Sequence, residues 1–168
     1  MKLIALLLGA SLIMISCKKN NTSCPYSFLN ATATSTETAS LRDSLYAHNI
    51  YSFSADASGF FYTIIHPGSG DSATAPCSQV TVSYTGMLLD STIVDSTAAG
   101  ETTSFDLGQV IGGWQTAIPL VSTGGEIVVY LPPSLGYGSQ TIRDSQGNIV
   151  IPPNSNLIFD IKVVAIKN

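Results

Sequence analysis

The chain has 168 residues, of which 45% are hydrophobic and 11% are charged, and its formal net charge is −4. A chain of this length usually holds one domain, and this apolar content supports one sizeable core and excludes general disorder. The acidic balance excludes the basic footprint expected of a nucleic-acid-binding protein. It equally excludes a basic stripe that would hold a folded face on an anionic membrane.

Residues 1–16 have the features of a secretory signal peptide. Lys2 supplies a positive charge, and the apolar run at 3–15 is too short to span a bilayer. The string LIMISC at 12–17 resembles a bacterial lipobox, which implies cleavage before Cys17 and acylation of that residue. An ordinary cleaved signal followed by an incidental cysteine is the alternative. Because Cys17 falls where the apolar run ends, we expect a periplasmic domain in the cell envelope, held to a membrane only by lipid.

Two other cysteines, Cys24 and Cys77, are candidates for a disulfide, which an oxidising envelope would permit. The bond would close a loop of about 54 residues, worth about 4 kcal/mol on the chain-entropy estimate. Two free thiols are the alternative, although an exposed thiol is a liability outside the cytoplasm. A metal site is not indicated, because there is no CxxC pair and neither His48 nor His66 has ligand-like spacing with a cysteine. We expect no cofactor.

Residues 17–58 have the composition of a tether that contains one short helix. The part before the helix is rich in Asn, Thr, Ser and Ala. Over 36–48, the spacing of Leu41, Leu45 and Tyr46 places one apolar stripe on a helix. That helix is too short for a coiled-coil stalk, so we expect a monomer.

From residue 59 to 168 the apolar period is that of strands. Strands are predicted at 60–65, 80–85, 87–89, 94–97, 104–107, 126–131 and 157–166. Gly86 is expected to interrupt the second of these, and 138–150 to form a long loop. A short helix begins near Gly112 and must end or kink at Pro119, whose ring cannot be accommodated inside a helix. The pattern predicts an α+β domain, with an antiparallel sheet and one short helix to cover it.

No arrangement for ordinary acid–base, nucleophilic or phosphate chemistry is present in the sequence. Instead, aromatic residues recur, each within a separate strand, helix or turn signal. Isolated aromatics are usually core residues. The short sequence strings around these aromatics are more informative. The strings are VSYTG at 82–86, VDST at 94–97, FDLG at 105–108, VIGGW at 110–114, LGYG at 135–138, IPPN at 151–154 and LIFD at 157–160.

In this order and spacing, the strings resemble those of the FKBP-type peptidyl-prolyl cis-trans isomerases, over about residues 78 to 166. The resemblance implies a twisted antiparallel sheet of five to six strands wrapped around one short helix, with a pocket between them. It also implies which residues line that pocket. These are Tyr84, Val94, Asp95, Val110, Ile111, Trp114, Tyr137, Ile151 and Phe159.

The resemblance further implies roles for some of these residues. Tyr84, Asp95 and Tyr137 would be the catalytic residues, and the others would hold the proline ring of a polypeptide substrate on Trp114. The N–H of Ile111 and the hydroxyl of Tyr137 would bind substrate carbonyls. The expected function is therefore prolyl isomerisation that assists the folding of exported proteins.

Several positions depart from the family pattern. Val94 stands where an aromatic is usual, Thr103 replaces another aromatic, and the segment between Gly108 and Val110 is short. The loop at 139–150 is also longer than in the smallest members. Loss of pocket aromatics weakens the hold on proline, so a non-catalytic peptide-binding module or chaperone that uses the same groove is the alternative function.

Overall fold

The computed structural model describes residues 24–168, so the predicted signal peptide and Cys17 lie outside the described residues. Within 24–168, no helix combines the length and the apolar composition that crossing a bilayer requires. Cys24 and Cys77 are joined by a disulfide, with their Cα atoms 5.7 Å apart.

Two α-helices and nine strands make up the described chain. The helices are α1, Ser35–Ala47, and α2, Gly112–Ala117, and α2 runs on into a 3-10 turn at Ile118–Leu120. The strands are β1 Ser54–Ala55, β2 Phe61–His66, β3 Gln79–Leu88, β4 Ile93–Ser96, β5 Thr103–Asp106, β6 Glu126–Leu131, β7 Ile142–Arg143, β8 Ile149–Ile151 and β9 Leu157–Lys167.

Seven strands form one antiparallel sheet in the order β1-β2-β6-β9-β3-β4, with β5 pairing to the other end of β3. The long strands β3 and β9 pair along their length and place Tyr84 opposite Ile161 and Gly86 opposite Phe159. The expected α+β architecture is confirmed, with β1 as a short edge strand beyond the predicted five to six.

The face of the sheet that α2 covers is called the inner face. Alternate residues point to opposite sides of a strand, so β6 turns Ile127, Val129 and Leu131 inward, where they form one core with Trp114 and Ile118. The main hydrophobic core therefore lies between α2 and the sheet, next to the predicted pocket.

Helix α1 covers the opposite, outer face. Thr34 caps it in a reciprocal capping box with Glu37. Leu41 and Leu45 are fully buried against Phe61 and against residues of β6 and β9 that point outward. The predicted stripe is therefore real, except that Tyr46 is largely exposed.

The structure differs from the sequence-based expectations in three places. Residues 24–33, expected to be tether, pack on the domain, as Phe28 and Ala31 do against the main core. Strand β3 continues through Gly86, where the register shifts against β4 but not against β9. The expected loop at 138–150 contains the small hairpin of β7 and β8, closed by a turn in which Asp144 accepts from the Asn148 backbone.

Candidate functional site

A cleft of about 270 Å³ opens between α2 and the inner face of the sheet. Strands β3, β4, β5 and β9 supply one side, and α2 with the loop before it supplies another. Tyr137 comes from the segment after the 3-10 turn at Pro133–Leu135. The lining residues are Tyr84, Asp95, Phe105, Gln109, Val110, Ile111, Trp114, Tyr137 and Phe159.

The indole of Trp114 forms the floor of this cleft and is 4% exposed. Three rings stand edge-on to it, with centroids 5.1 Å away for Tyr84, 5.3 Å for Phe159 and 6.1 Å for Phe105. Edge-to-face pairs at these distances are the favoured aromatic arrangement and hold one another in place. The result is a rigid apolar floor that a small ring can stack on.

Gly86 explains how Phe159 reaches this position. A Cβ on Gly86 would lie 2.5 Å from Cε1 of the Phe159 ring. Only glycine leaves this space on β3, so the residue expected to break the strand instead admits an aromatic wall of the cleft.

Polar groups sit at the rim. The hydroxyl of Tyr84 donates to Oδ2 of Asp95 over 2.5 Å. Burial, and then the neighbouring Asp95 carboxylate, raise the pKa of the Tyr84 phenol well above its usual range. Burial is also the main cause that raises the pKa of Tyr137, and Asp95 adds to it. Both phenols are therefore neutral hydrogen-bond donors at physiological pH.

Three donors along the cleft have no partner within residues 24–168. Nε1 of Trp114 is buried without a hydrogen bond. Neither the Ile111 N–H nor the Tyr137 hydroxyl donates to another described group. Nε1 of Trp114 is enclosed by the protein, whereas Ile111 and Tyr137 are half-buried and line the cleft, so their donors are available to acceptors on a bound molecule.

Most of the residues predicted for the pocket come together in it, but two do not line it. Ile151 is 4% exposed and belongs to the main core. Val94 lies in the bulge of β4, between the pairs that Asp95 and Ile93 make, and packs against the core beside the cleft. Thr103 starts β5 opposite Val82 and does not line the cleft either.

Two lining residues were missing from the predicted set. Phe105 is part of the FDLG string and could have been included on that ground. Gln109 lies between the FDLG and VIGGW strings but belongs to neither, and its side chain donates to the Tyr26 hydroxyl, far away in sequence.

The geometry agrees with comparisons to known proteins. A sequence profile of the FKBP-type peptidyl-prolyl cis-trans isomerases matches residues 70–164, which is more than half of the chain. The chain belongs to this family, and the resemblance seen in the sequence is confirmed.

Bacterial proteins of this family are its relatives. It is 39% identical over 116 residues to the isomerase FkpA of Buchnera aphidicola, covering 68% of this chain and 44% of that protein. It is 38% identical over 112 residues to the isomerase Mip of Coxiella burnetii, covering 66% and 46%. A Legionella longbeachae protein named outer membrane protein MIP is 39% identical over 111 residues, covering 66% and 45%. The chain thus spans less than half the length of these relatives.

Solved structures agree on the fold. The crystal structure of a Pseudomonas syringae isomerase superimposes with a TM-score of 0.66 at 25% identity, covering 82% of this chain and 98% of that one. The crystal structure of Escherichia coli FkpA gives a TM-score of 0.62 at 28% identity, covering 79% and 63%. The FKBP-like fold is therefore confirmed.

Proposed function

We propose that this protein is a peptidyl-prolyl cis-trans isomerase that acts on proline-containing segments of exported polypeptides. The observation that carries the proposal is the cleft itself, an apolar floor at Trp114 walled by aromatic rings, with unpaired donors along it. The cleft has the shape to hold a proline ring and the donors to hold the carbonyls beside it.

The physical problem is rotation about an amide bond. Twisting the bond breaks its resonance, and the barrier is about 18–20 kcal/mol. The planar amide is more dipolar than the twisted amide, so transfer from water into an apolar cleft favours the twisted state relative to the planar one. This is differential binding of the transition state, and it needs neither an acid nor a base.

Each polar group has a proposed part in this mechanism. The Ile111 N–H and the Tyr137 hydroxyl donate to substrate carbonyls on either side of the rotating bond. Tyr84 holds the Asp95 carboxylate at the rim. There the carboxylate orients polar groups of the substrate near the rotating bond. Trp114 supports the proline ring from below.

The proposal is tested by protease-coupled isomerisation of Xaa-Pro peptides with several residues at Xaa. We expect the purified protein to accelerate the slow phase, and Tyr137→Phe to lower kcat/KM several-fold by removing one hydrogen bond worth about 1 kcal/mol. Tyr51→Phe, which removes a hydroxyl from an exposed tyrosine bonded only to Asn49, is the matched control and should be silent.

A folded wild-type protein that is inert with every peptide would contradict catalysis. The non-catalytic alternative then predicts that the protein suppresses aggregation of clients, including clients without proline. A protein that is inert in both assays would contradict both functions.

We propose further that the domain works in the cell envelope, anchored by lipid at Cys17. The signal-like residues 1–16 and the lipobox support this, and so does the Cys24–Cys77 disulfide, since such bonds persist in oxidising compartments. Cys17→Ser should move the protein from the detergent phase to the aqueous phase in a phase-partition experiment. Wild-type protein that already stays in the aqueous phase would contradict the anchor.

We also propose that the protein is a monomer, because α1 buries Leu41 and Leu45 against its own sheet and leaves no apolar stripe to pair with a second helix. Sedimentation equilibrium should give the mass of one chain, and a stable dimer at micromolar concentration would contradict this.

A further inference from the structure

The N-terminal strap, residues 24–33, lies against the loop that carries one wall of the cleft. That loop runs from Gly108 to Ile111, so it includes the end of the 3-10 turn at Leu107–Gln109 and leads into α2. A Cβ on Gly108 would lie 2.5 Å from Cβ of Tyr26. The strap and the loop are therefore in close contact, and part of the chain expected to be tether touches the candidate site from behind.

Gln115 joins the strap to this loop. Its side chain is 4% exposed, and it is one of two buried polar residues in the described chain. Oε1 accepts from the Leu29 N–H over 2.9 Å, while Nε2 donates to the carbonyls of Val110 over 2.8 Å and Gly108 over 3.3 Å. One acceptor and two donors of the amide are thus used, and the three partners determine its orientation.

Both ends of the strap are attached to the domain. At one end, Cys24 is bonded to Cys77. At the other end, the Ala33 N–H donates to the carbonyl of Ser58 over 2.8 Å. The strap therefore cannot swing away from the loop while these attachments hold, although its own interior has no regular secondary structure.

Tyr26 makes a second link to the cleft. Its hydroxyl accepts from Nε2 of Gln109 over 2.5 Å, and Gln109 lines the cleft. The strap thus contacts the loop at two points, one buried through Gln115 and one exposed through Gln109.

We propose that Gln115 is a positioning residue, which ties the loop to the strap and so fixes the Ile111 N–H where it meets the substrate carbonyl. The inference rests on the proposed function. A backbone N–H has no side chain to steer it, so its direction is set by the peptide groups beside it. Gln115 holds the carbonyl of Val110, which belongs to the same peptide group as the Ile111 N–H.

The first test is Gln115→Met, which keeps the length of the side chain and removes all three hydrogen bonds. A misplacement of a substrate-binding group by about 1 Å can lower the rate about 100-fold. For a smaller displacement of the Ile111 N–H we expect kcat/KM to fall by about tenfold. Leu41→Ala is the matched control, since it destabilises the outer face without touching the cleft. It should leave kcat/KM unchanged at low temperature, and an equal loss in both variants would overturn the proposal.

The second test asks whether the strap and Gln115 act together. Cys24→Ser combined with Cys77→Ser frees the end of the strap and should lower kcat/KM in the same direction as Gln115→Met. Combining all three substitutions should cost less than the product of the separate effects, because both act through one loop. Fully multiplicative effects would overturn the coupling.

A third readout separates failure of this inference from failure of the proposed function. The amide resonance of Ile111 can be followed by NMR without any substrate. Gln115→Met should shift it, while Leu41→Ala should not. If the wild type is catalytically inert, the proposed function fails, and this measurement still decides whether Gln115 positions the amide: an unmoved resonance would refute it.

Discussion

The two faces of the sheet are both built from aromatic and aliphatic side chains, yet the cleft walled by aromatic rings lies on the inner face. On the outer face, Phe53 packs on Phe61 with centroids 4.7 Å apart, and Leu41 and Leu45 of α1 seal the layer. On the inner face, the rings around Trp114 leave about 270 Å³ open. The same strands, β6 and β9, serve both faces through alternate residues.

The difference shows that clustered aromatics do not by themselves mark a functional site. What distinguishes the inner face is an opening lined by aromatic rings, together with donors that lack partners within residues 24–168, such as the Tyr137 hydroxyl. The outer face should therefore contribute to stability alone, and the inner face to stability and activity.

Leu45→Ala should have the largest effect, and it should fall on stability. The side chain is fully buried under α1, and such truncations cost about 2–5 kcal/mol. Chemical denaturation should show that loss, while kcat/KM measured well below the melting temperature stays at the wild-type value. A parallel loss of activity in fully folded protein would mean that the two faces are coupled.

Trp114→Leu should have the largest effect on activity. The substitution keeps the site apolar but removes the floor of the cleft and the three edge-to-face contacts. We expect kcat/KM to fall by about 30-fold, equivalent to about 2 kcal/mol of transition-state binding. Circular dichroism is needed to establish that the variant is folded, and a folded variant with wild-type kcat/KM would show that the cleft is not the site.

Gly86→Ala should have a smaller effect on activity. The new methyl group would push the Phe159 ring, since the space on β3 is already filled by that ring. We expect about a tenfold loss of kcat/KM, because the displaced ring would misplace one wall of the cleft. Overpacking of this kind also costs about 1–3 kcal/mol of stability. Ser83→Ala, on the same strand but outside the cleft, is the control that should be silent. Equal activity of the two variants would count against the role given to Phe159.

The smallest effect is expected from pH. Raised pKa values keep the phenols of Tyr84 and Tyr137 protonated, so their donors persist up to and beyond the usual tyrosine pKa of about 10. Between about pH 6 and about pH 9, kcat/KM should therefore be flat. A group in the cleft that titrates near pH 7 would produce a step in this range and contradict the mechanism without acid or base.

Much of the fold could be predicted from local pattern. Strand β6 spans Glu126–Leu131, as its apolar pattern and the two prolines after it predict. Helix α2 runs into a 3-10 turn at Ile118–Leu120, where Pro119 was expected to end or kink the helix. These features depend on residues close together in sequence. The aromatic pocket residues were found because their strings resemble a family.

What could not be predicted depends on contacts between distant residues. Gly86 alone indicates a break, but β3 stays paired with β9 on both sides of it, and the glycine makes room for the ring of Phe159. The composition of residues 24–33 indicates a tether, but the Leu29 backbone and the cysteine bond hold the segment on the domain. Gln115 carries no motif, and its three partners lie in two separate segments.

The assignment of function to the inner face is tested by the refolding of a protein whose slow phase is limited by an Xaa-Pro bond, with wild type, Trp114→Leu and Leu45→Ala compared at low temperature. We predict that the wild type and Leu45→Ala accelerate the slow phase equally, and that Trp114→Leu accelerates it far less. Acceleration by Trp114→Leu equal to that of the wild type would contradict the assignment of function to the inner face.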